Sequence, residues 1–93
     1  MYDFEWDNKK NNKNKLKHKI DFADAIQIFF DEHRITMFDY RHDYGENRYQ
    51  VIGQSSQRIL FVVYTERKGN TIRMISARKA NKKEISAYKK GIF

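Results

Sequence analysis

The sequence predicts an α+β fold, in which a curved antiparallel β-sheet carries two N-terminal helices and one C-terminal helix. Four segments between residues 34 and 78 have the apolar or alternating pattern of β-strands, and the links at 54–57 and 68–70 are as short as hairpin turns. Apolar residues at helical spacing and residues that favour helix N-caps mark helices on both sides of the strands. The predicted order is β-α-α-β-β-β-β-α. We expect residues 1–93 to form a single domain, because so short a chain builds one core and no Pro/Gly/Ser linker divides it.

The N-terminal segment combines a short strand with an ambiguous helix. Phe4–Trp6 alternates apolar and polar residues over too short a length for more than an edge strand, and Asp7 or Asn8 can cap a helix that begins there. Residues 8–18 contain four asparagines and a single apolar residue, so this segment is either a weak helix or a basic arm.

Two stronger helix candidates come before and after the four predicted strands in the sequence. Residues 21–30 begin with Asp21 as an N-cap. They carry an apolar stripe that should pack on the sheet: Phe22, Ala25, Ile26 and Phe29. The second candidate starts at Asn81, where Glu84 at the third helical position completes a capping box.

The predicted strands cover residues 34–40, 48–54, 59–64 and 72–78. A turn at 44–47 separates the first two. Residues 59–64 are apolar on both faces, which indicates the central strand. The hairpin-sized links predict that the four strands run as an antiparallel meander.

Charge gives the first indication of function. The net charge is +7, and it is unevenly distributed, with eight basic and ten acidic side chains in residues 1–46 against eleven basic and two acidic in residues 47–93. A small domain this basic often binds a polyanion such as nucleic acid. The absence of cysteine excludes disulfides and thiolate metal sites. No apolar run is long enough to cross a membrane, and the acidic start is unlike a signal peptide, so we expect a cytoplasmic protein without a membrane partner.

Several motifs together resemble one known protein family. They are RYQVIGQS at 48–55, FVVYTER at 61–67 and IRMISARKA at 72–80, with FEWD at 4–7 and Lys17-His18 before the second helix. In this combination, the chain resembles the BrnT family of type II toxins over nearly its whole length. Asn8 and Lys19 depart from the family pattern, which often has proline and usually glycine at these positions.

The resemblance implies a RelE-like fold and an endoribonuclease activity that halts translation. It also implies neutralisation by a cognate antitoxin of the BrnA type, which carries a ribbon-helix-helix domain. The toxin–antitoxin complex would then bind operator DNA. Two other functions stay open: a non-catalytic nucleic-acid-binding module, and an interaction subunit that acts through its partner.

Metal-independent RNA cleavage needs a base, an acid and cations that stabilise charge on the phosphorane. Arginine suits the last role, since its planar guanidinium meets two phosphate oxygens. We predict catalytic roles for Arg67 and Arg78, because each ends a strand in a matching motif and strands that pair as hairpins should bring such ends together. A solvated or ion-paired arginine is the alternative. Further RNA contacts are predicted for Arg48, Arg73 and Lys79.

The acid and base candidates are His18, Glu46 and Tyr88. His18 fits the family pattern, although a helix-terminal histidine can instead interact with carbonyl groups. Glu46 is either a base or an ion-pair partner of Arg48. The sequence shows no histidine–carboxylate cluster with metal-ligand spacing, so neither a metal nor a cofactor is expected. Three other residues are assigned no catalytic role, His33 and His42 at the surface and Tyr64 in the core.

The lysine-rich segment offers a second kind of RNA contact. We predict that the lysines bind the RNA backbone without sequence preference, or bind acidic antitoxin residues in competition with it. A solvated face is the ordinary alternative for such a run. The lysines assigned to RNA are Lys9, Lys10, Lys13 and Lys17.

Overall fold

The computed structural model describes residues 2–41 and 45–93. Its elements follow the predicted order, except that the second predicted helix is divided into a short α-helix and a 3-10 helix. The elements are β1 Asp3–Glu5, α1 Asn8–His18, α2 Phe22–Ala25, the 3-10 helix Ile26–Phe30, β2 Ile35–Phe38, β3 Arg48–Ser55, β4 Arg58–Arg67, β5 Thr71–Lys79 and α3 Lys82–Lys90. Among the described residues, no helix has the length and apolar character needed to cross a membrane.

The five strands form one sheet in the order β1-β5-β4-β3-β2. Strands β2 to β5 are an antiparallel meander with β4 at the centre, as predicted. The edge strand β1, however, pairs with β5 in parallel. The course of the chain explains this direction, because β1 lies beside the start of β5 and α1 then continues along the same edge. Phe4 is opposite Ile72, and Asn14 further on bonds Ala77.

Residues 8–18 are helical despite their asparagines. Asp7 caps α1 by accepting hydrogen bonds from the backbone N–H groups of Lys9 and Lys10. Asn14 is buried, and its amide bonds both the N–H and the carbonyl of Ala77 at 3.0 and 2.8 Å. These tertiary bonds outweigh the poor helix propensity and fix α1 along the open edge of β5.

Each face of the sheet carries a hydrophobic core. On the first face the predicted stripe of α2 and the 3-10 helix packs on Val51, Leu60, Val62 and Tyr64. Gly53 permits the close approach, because a Cβ there would lie 2.9 Å from the Cβ of Ile28. On the second face Ile52, Phe61 and Val63 form a smaller core, against which Tyr88 of α3 packs. Because α3 has no fully buried residue, its attachment depends on a few polar contacts.

Candidate active site

The sheet places the two predicted catalytic arginines far apart. Arg78 lies opposite Phe61, whereas Arg67 lies opposite Thr71 at the far end of the β4–β5 hairpin. Arg67 and Phe61 are six residues apart on β4, which corresponds to about 20 Å along the strand. The expectation that hairpin pairing brings these two side chains together is therefore wrong, since they lie at opposite ends of the β4–β5 hairpin.

Arg78 lies at the centre of a charged cluster on the second face. Its guanidinium donates two parallel hydrogen bonds to Glu84, at 2.8 and 2.9 Å, and stacks on the ring of Phe61 at 4.2 Å. Burial opposes ionisation of Glu84, but the bonds from Arg78 and from the Asn81 N–H outweigh it, so the pKa of Glu84 lies below its ordinary value. Glu84 therefore stays charged, and it holds Arg78 in one orientation.

A second arginine reaches the same aromatic ring. Arg41 follows β2, lies 5.9 Å from the Phe61 centroid, and forms a bidentate pair with Asp39 at 2.9 Å for both bonds. The pair lowers the pKa of Asp39 to about 2. Arg41 is absent from the site residues predicted from the sequence. The spacing of two residues between Asp39 and Arg41 puts both side chains on one side of an extended chain, which indicates their ion pair but not the contact of Arg41 with Phe61.

His18 lies at the end of a basic groove between α1 and β5. The groove has a volume of about 240 Å³ and is lined by Lys10, Lys13, Asn14, Lys17, His18, Ile75 and Ser76. The helical residues among these recur every three or four positions, so α1 turns one face to the groove. Lys9 is exposed and does not line the groove. Three of the four predicted lysines are thus brought together.

The surroundings of His18 favour its neutral form. Partial burial lowers the pKa of the imidazole, and the positive charges of Lys17 and Arg78 lower it further. Starting from the ordinary value of 6.5, the shift leaves the ring uncharged at neutral pH. A neutral imidazole can accept a proton, so His18 is suited to act as a base.

The remaining predicted arginines lie in a second cluster at the other end of the sheet. Glu46 pairs with Arg48 at 3.2 Å and with Arg67 at 3.6 Å, so it forms the ion pair considered from the sequence. Arg73 is bound to Glu5 at 2.6 Å. Lys79 is exposed at the end of β5, beside Arg78 and away from this second cluster.

Tyr88 is occupied in holding α3 in place. Its hydroxyl donates a hydrogen bond to Asp31 at 2.6 Å, and burial together with this bond raises the pKa of Tyr88 to about 12. Tyr64 lies in the core, as predicted, and His33 is exposed at the surface, while His42 falls outside the described residues. In residues 2–41 and 45–93, no three histidine or carboxylate side chains are grouped as metal ligands would be.

The arrangement therefore combines a neutral imidazole, a fixed guanidinium and a row of lysines at one edge of the sheet. Over residues 6–84, the chain matches the family described as the ribonuclease toxin BrnT of type II toxin–antitoxin systems. The chain belongs to this family. Membership in the BrnT family implies ribonuclease activity, an RNA substrate and an antitoxin partner.

The fold of this BrnT-family chain is similar to that of a solved relative. That relative is the ribonuclease toxin BrnT of Brucella abortus, with a TM-score of 0.66 and 24% sequence identity, over 88% of this chain and 100% of the Brucella chain. The likeness confirms the predicted α+β fold, and the finer RelE-like label stays a prediction. No curated protein matches the sequence.

Proposed function

We propose that this BrnT-family toxin is an endoribonuclease that cleaves messenger RNA without a metal and thereby stops translation. The observation that carries this proposal is the position of His18 in a groove lined by lysines, within the electrostatic influence of Arg78. The proposed toxin domain spans residues 1–93 and acts in the cytoplasm.

The proposed reaction uses the RNA's own 2′-hydroxyl as the nucleophile. His18 accepts the hydroxyl proton, and the 2′ oxygen attacks the adjacent phosphorus. Arg78 stabilises the negative charge of the phosphorane. The bond from phosphorus to the 5′ oxygen then breaks, that oxygen takes up a proton from water, and a 2′,3′-cyclic phosphate is left. His18 returns its proton to the solvent before the next turnover.

The lysines of α1 supply the binding of the RNA backbone. Lys10, Lys13 and Lys17 line the groove beside His18, where they can neutralise successive phosphates of a single strand. The second cluster, with Arg48, Arg67 and Arg73, would extend RNA binding to the other end of the sheet. We assign Arg67 to this binding role because of its distance from His18 and Arg78.

We further propose that the antitoxin carries a ribbon-helix-helix domain and that the complex binds operator DNA. The resemblance of the sequence motifs to the BrnT family supports this proposal. Fast association with an acidic antitoxin segment would follow from the high positive charge of the toxin.

The test measures cleavage of RNA by the chain after it is co-produced with, and then freed from, the protein of the neighbouring gene. We expect Arg78→Ala and His18→Gln to lower kcat by about 10²- to 10³-fold, which is typical when a preorganised transition-state contact is lost. Arg67→Ala should raise KM and leave kcat within a few-fold. Arg58→Ala is the matched control, since Arg58 alternates with Ile59 and lies on the opposite face of β4.

Two measurements test whether cleavage is independent of metal: the activity in EDTA and the chemical nature of the ends of the RNA products. Activity should persist in EDTA, and the products should carry 2′,3′-cyclic or 3′-phosphate ends. Activity that disappears in EDTA and returns with magnesium would contradict the mechanism. If Arg67→Ala abolishes kcat and Arg78→Ala does not, the reaction takes place at the second cluster instead.

A further inference from the structure

Ser76 lies where the groove of α1 meets the second face of the sheet. It lines the groove together with His18 and lysines of α1. In the β4–β5 pair Ser76 is opposite Val63 and Arg78 is opposite Phe61, and both partners belong to the core of the second face. Because side chains alternate along a strand, Ser76 and Arg78 point to this same face, about 7 Å apart along β5. Ser76 therefore links the groove of His18 to the position of Arg78.

The hydroxyl of Ser76 is open to a ligand. In residues 2–41 and 45–93, no buried or half-buried residue has a buried side-chain oxygen or nitrogen that lacks a hydrogen-bond partner. Ser76 is half-buried, and its hydroxyl bonds none of the described residues, so the oxygen is accessible. The amide of Asn14, the other neutral polar group of the groove, is already used by Ile20 and Ala77. Ser76 is thus the neutral side chain of the groove that can bond a ligand.

Arg78 keeps one edge of its guanidinium for a ligand. Nη1 donates to the carbonyl of Lys79 and to Glu84, and Nη2 donates to the second carboxylate oxygen of Glu84. Of the five N–H groups, the Nε–H and one N–H of Nη2 have no acceptor among the described residues. Nε and Nη2 form the edge with which Arg41 binds both oxygens of Asp39. Since the side chain of Arg78 is 32% exposed, the same edge can bind a phosphate while Glu84 stays in place.

The spacing of these two donors suits a single phosphate. Each of its two non-bridging oxygens accepts a hydrogen bond of about 2.8 Å, so one phosphate spans donors on side chains about 7 Å apart. That is the distance between positions 76 and 78 along the strand. His18 lines the groove on the other side of Ser76, where a proton acceptor for the 2′-hydroxyl is needed.

We infer that the Ser76 hydroxyl donates a hydrogen bond to one non-bridging oxygen of the cleaved phosphate, while Arg78 binds the other. The inference rests on the proposed function and adds a second contact to the reacting group. Ser76 is then a catalytic residue, because it touches the reacting phosphate. The bond strengthens as this oxygen gains negative charge in the phosphorane, so Ser76 acts on kcat as well as on binding.

The first experiment measures cleavage of a short RNA and binding of the same RNA with 2′-O-methyl groups, which lacks the attacking hydroxyl. Ser76→Ala should raise Kd about tenfold and lower kcat/KM by about 10- to 100-fold, as for a lost hydrogen bond to a charged group. The slope of log affinity against log salt should stay at the wild-type value, since serine carries no charge. Ser76→Thr keeps the hydroxyl and should stay within about threefold of wild type. Ser86→Ala, the same substitution at an exposed position of α3, should change neither quantity.

The second experiment locates the contact on the cleaved phosphate. RNA with sulfur in place of one non-bridging oxygen at that phosphate has two stereoisomers, and sulfur is the weaker acceptor. Wild-type protein should cleave both isomers more slowly than unmodified RNA, one through Ser76 and the other through Arg78. Ser76→Ala should cleave one isomer as fast as it cleaves unmodified RNA, because the bond that sulfur would weaken is already absent.

Three results would overturn the inference. They are equal Kd and kcat/KM for Ser76→Ala and wild type, equal slowing of both isomers in the two proteins, and a changed salt slope or urea midpoint in Ser76→Ala. The last would assign the loss to displaced lysines or to the fold. If wild-type protein binds the 2′-O-methyl RNA about tenfold more tightly than Ser76→Ala but does not cleave unmodified RNA, the proposed function fails and the phosphate contact of Ser76 stands.

Discussion

At the scale of single residues, Lys19 has a backbone conformation that is unfavourable for a residue with a side chain. Lys19 ends α1 with φ 62°, in the left-handed region, and its N–H bonds the carbonyl of Lys15. Helices commonly end at glycine in this conformation, since a Cβ is disfavoured there. The resemblance to the BrnT family implies glycine at the same position, so the structure gives that pattern a physical reason.

We therefore expect Lys19→Gly to raise the free energy of unfolding by about 1 kcal/mol, because relief of the left-handed strain exceeds the entropy that glycine adds to the unfolded chain. Urea or thermal unfolding measures the change. The matched control is Lys15→Gly, which places glycine inside α1 and should lower stability by about 1 kcal/mol. Equal effects of the two substitutions would show that the backbone at residue 19 is not strained.

Asp39 makes the stability of the protein sensitive to acid. Its folded-state pKa of about 2 lies below the ordinary 3.8, so the charged form stabilises the fold above pH 4, and this contribution is lost as the pH falls toward 2. We expect a loss of about 2 kcal/mol from this group between pH 5 and pH 2. Unfolding by urea at both pH values measures it in wild type and in Asp39→Asn. The wild type should lose more stability than the variant by this amount, and equal losses would refute the assignment.

At the scale of elements, α1 is held by the side chains that least favour a helix. Asn11 accepts a bond from the Phe22 N–H and donates to Asp21, and Asn14 bonds Ala77 and the carbonyl of Ile20. The two asparagines therefore connect α1 to the start of α2 and to the edge of β5. Since α1 also carries the lysines and His18, the geometry of the groove depends on these bonds.

Asn14→Ala should accordingly lower the free energy of unfolding by about 2–3 kcal/mol, because the N–H and carbonyl of Ala77 lose their buried partner. Asn12→Ala is the control on the same helix. Asn12 is exposed, and its replacement should raise stability slightly through the better helix propensity of alanine. A cost below about 0.5 kcal/mol for Asn14→Ala, as for an ordinary surface position, would contradict this account of how α1 is attached.

At the scale of the whole molecule, the positive charge and the exposed aromatics indicate how an antitoxin could block the site. The groove of α1 and the Arg41–Arg78 cluster lie along one side of the sheet, where an acidic segment can cover both. Exposed tyrosines can serve as anchors for such a segment. Tyr40 is 78% exposed and Tyr49 and Tyr88 are half-buried, while Tyr44, a further candidate, lies outside the described residues.

We expect antitoxin association to be fast and to slow as salt increases, because attraction between opposite charges is screened over about 8 Å at physiological ionic strength. Stopped-flow association rates at increasing salt measure this effect, and chemical footprinting of Arg67, Arg78 and Tyr88 reports whether the complex covers them. Replacing Lys10, Lys13 and Lys17 with glutamine should lower the rate and its salt dependence. A salt-independent rate, with the three footprinted residues unprotected, would favour inhibition from a distance.

The sequence by itself determined the strands of the sheet and the helices that begin after Asp21 and Asn81, but it left residues 8–18 open between a helix and a basic arm. Alternation predicted the strands, and capping residues predicted the helix starts at Asp21 and Asn81, since these signals depend on neighbours within a few positions. The sequence motifs also indicated the protein family, and they singled out His18 and Arg78 as candidate catalytic residues. These features are local, and the linear sequence records them directly.

The tertiary structure decided which candidates share a site. Hairpin register placed Arg67 about 20 Å from the row of Arg78, and the folded sheet brought Arg41 to the ring of Phe61 instead. Tertiary contacts also turned Asn14 from a poor helix former into the residue that fixes α1. Both outcomes depend on contacts between residues far apart in the chain, whose strength is set by pairing and burial, and so no local pattern could have predicted them.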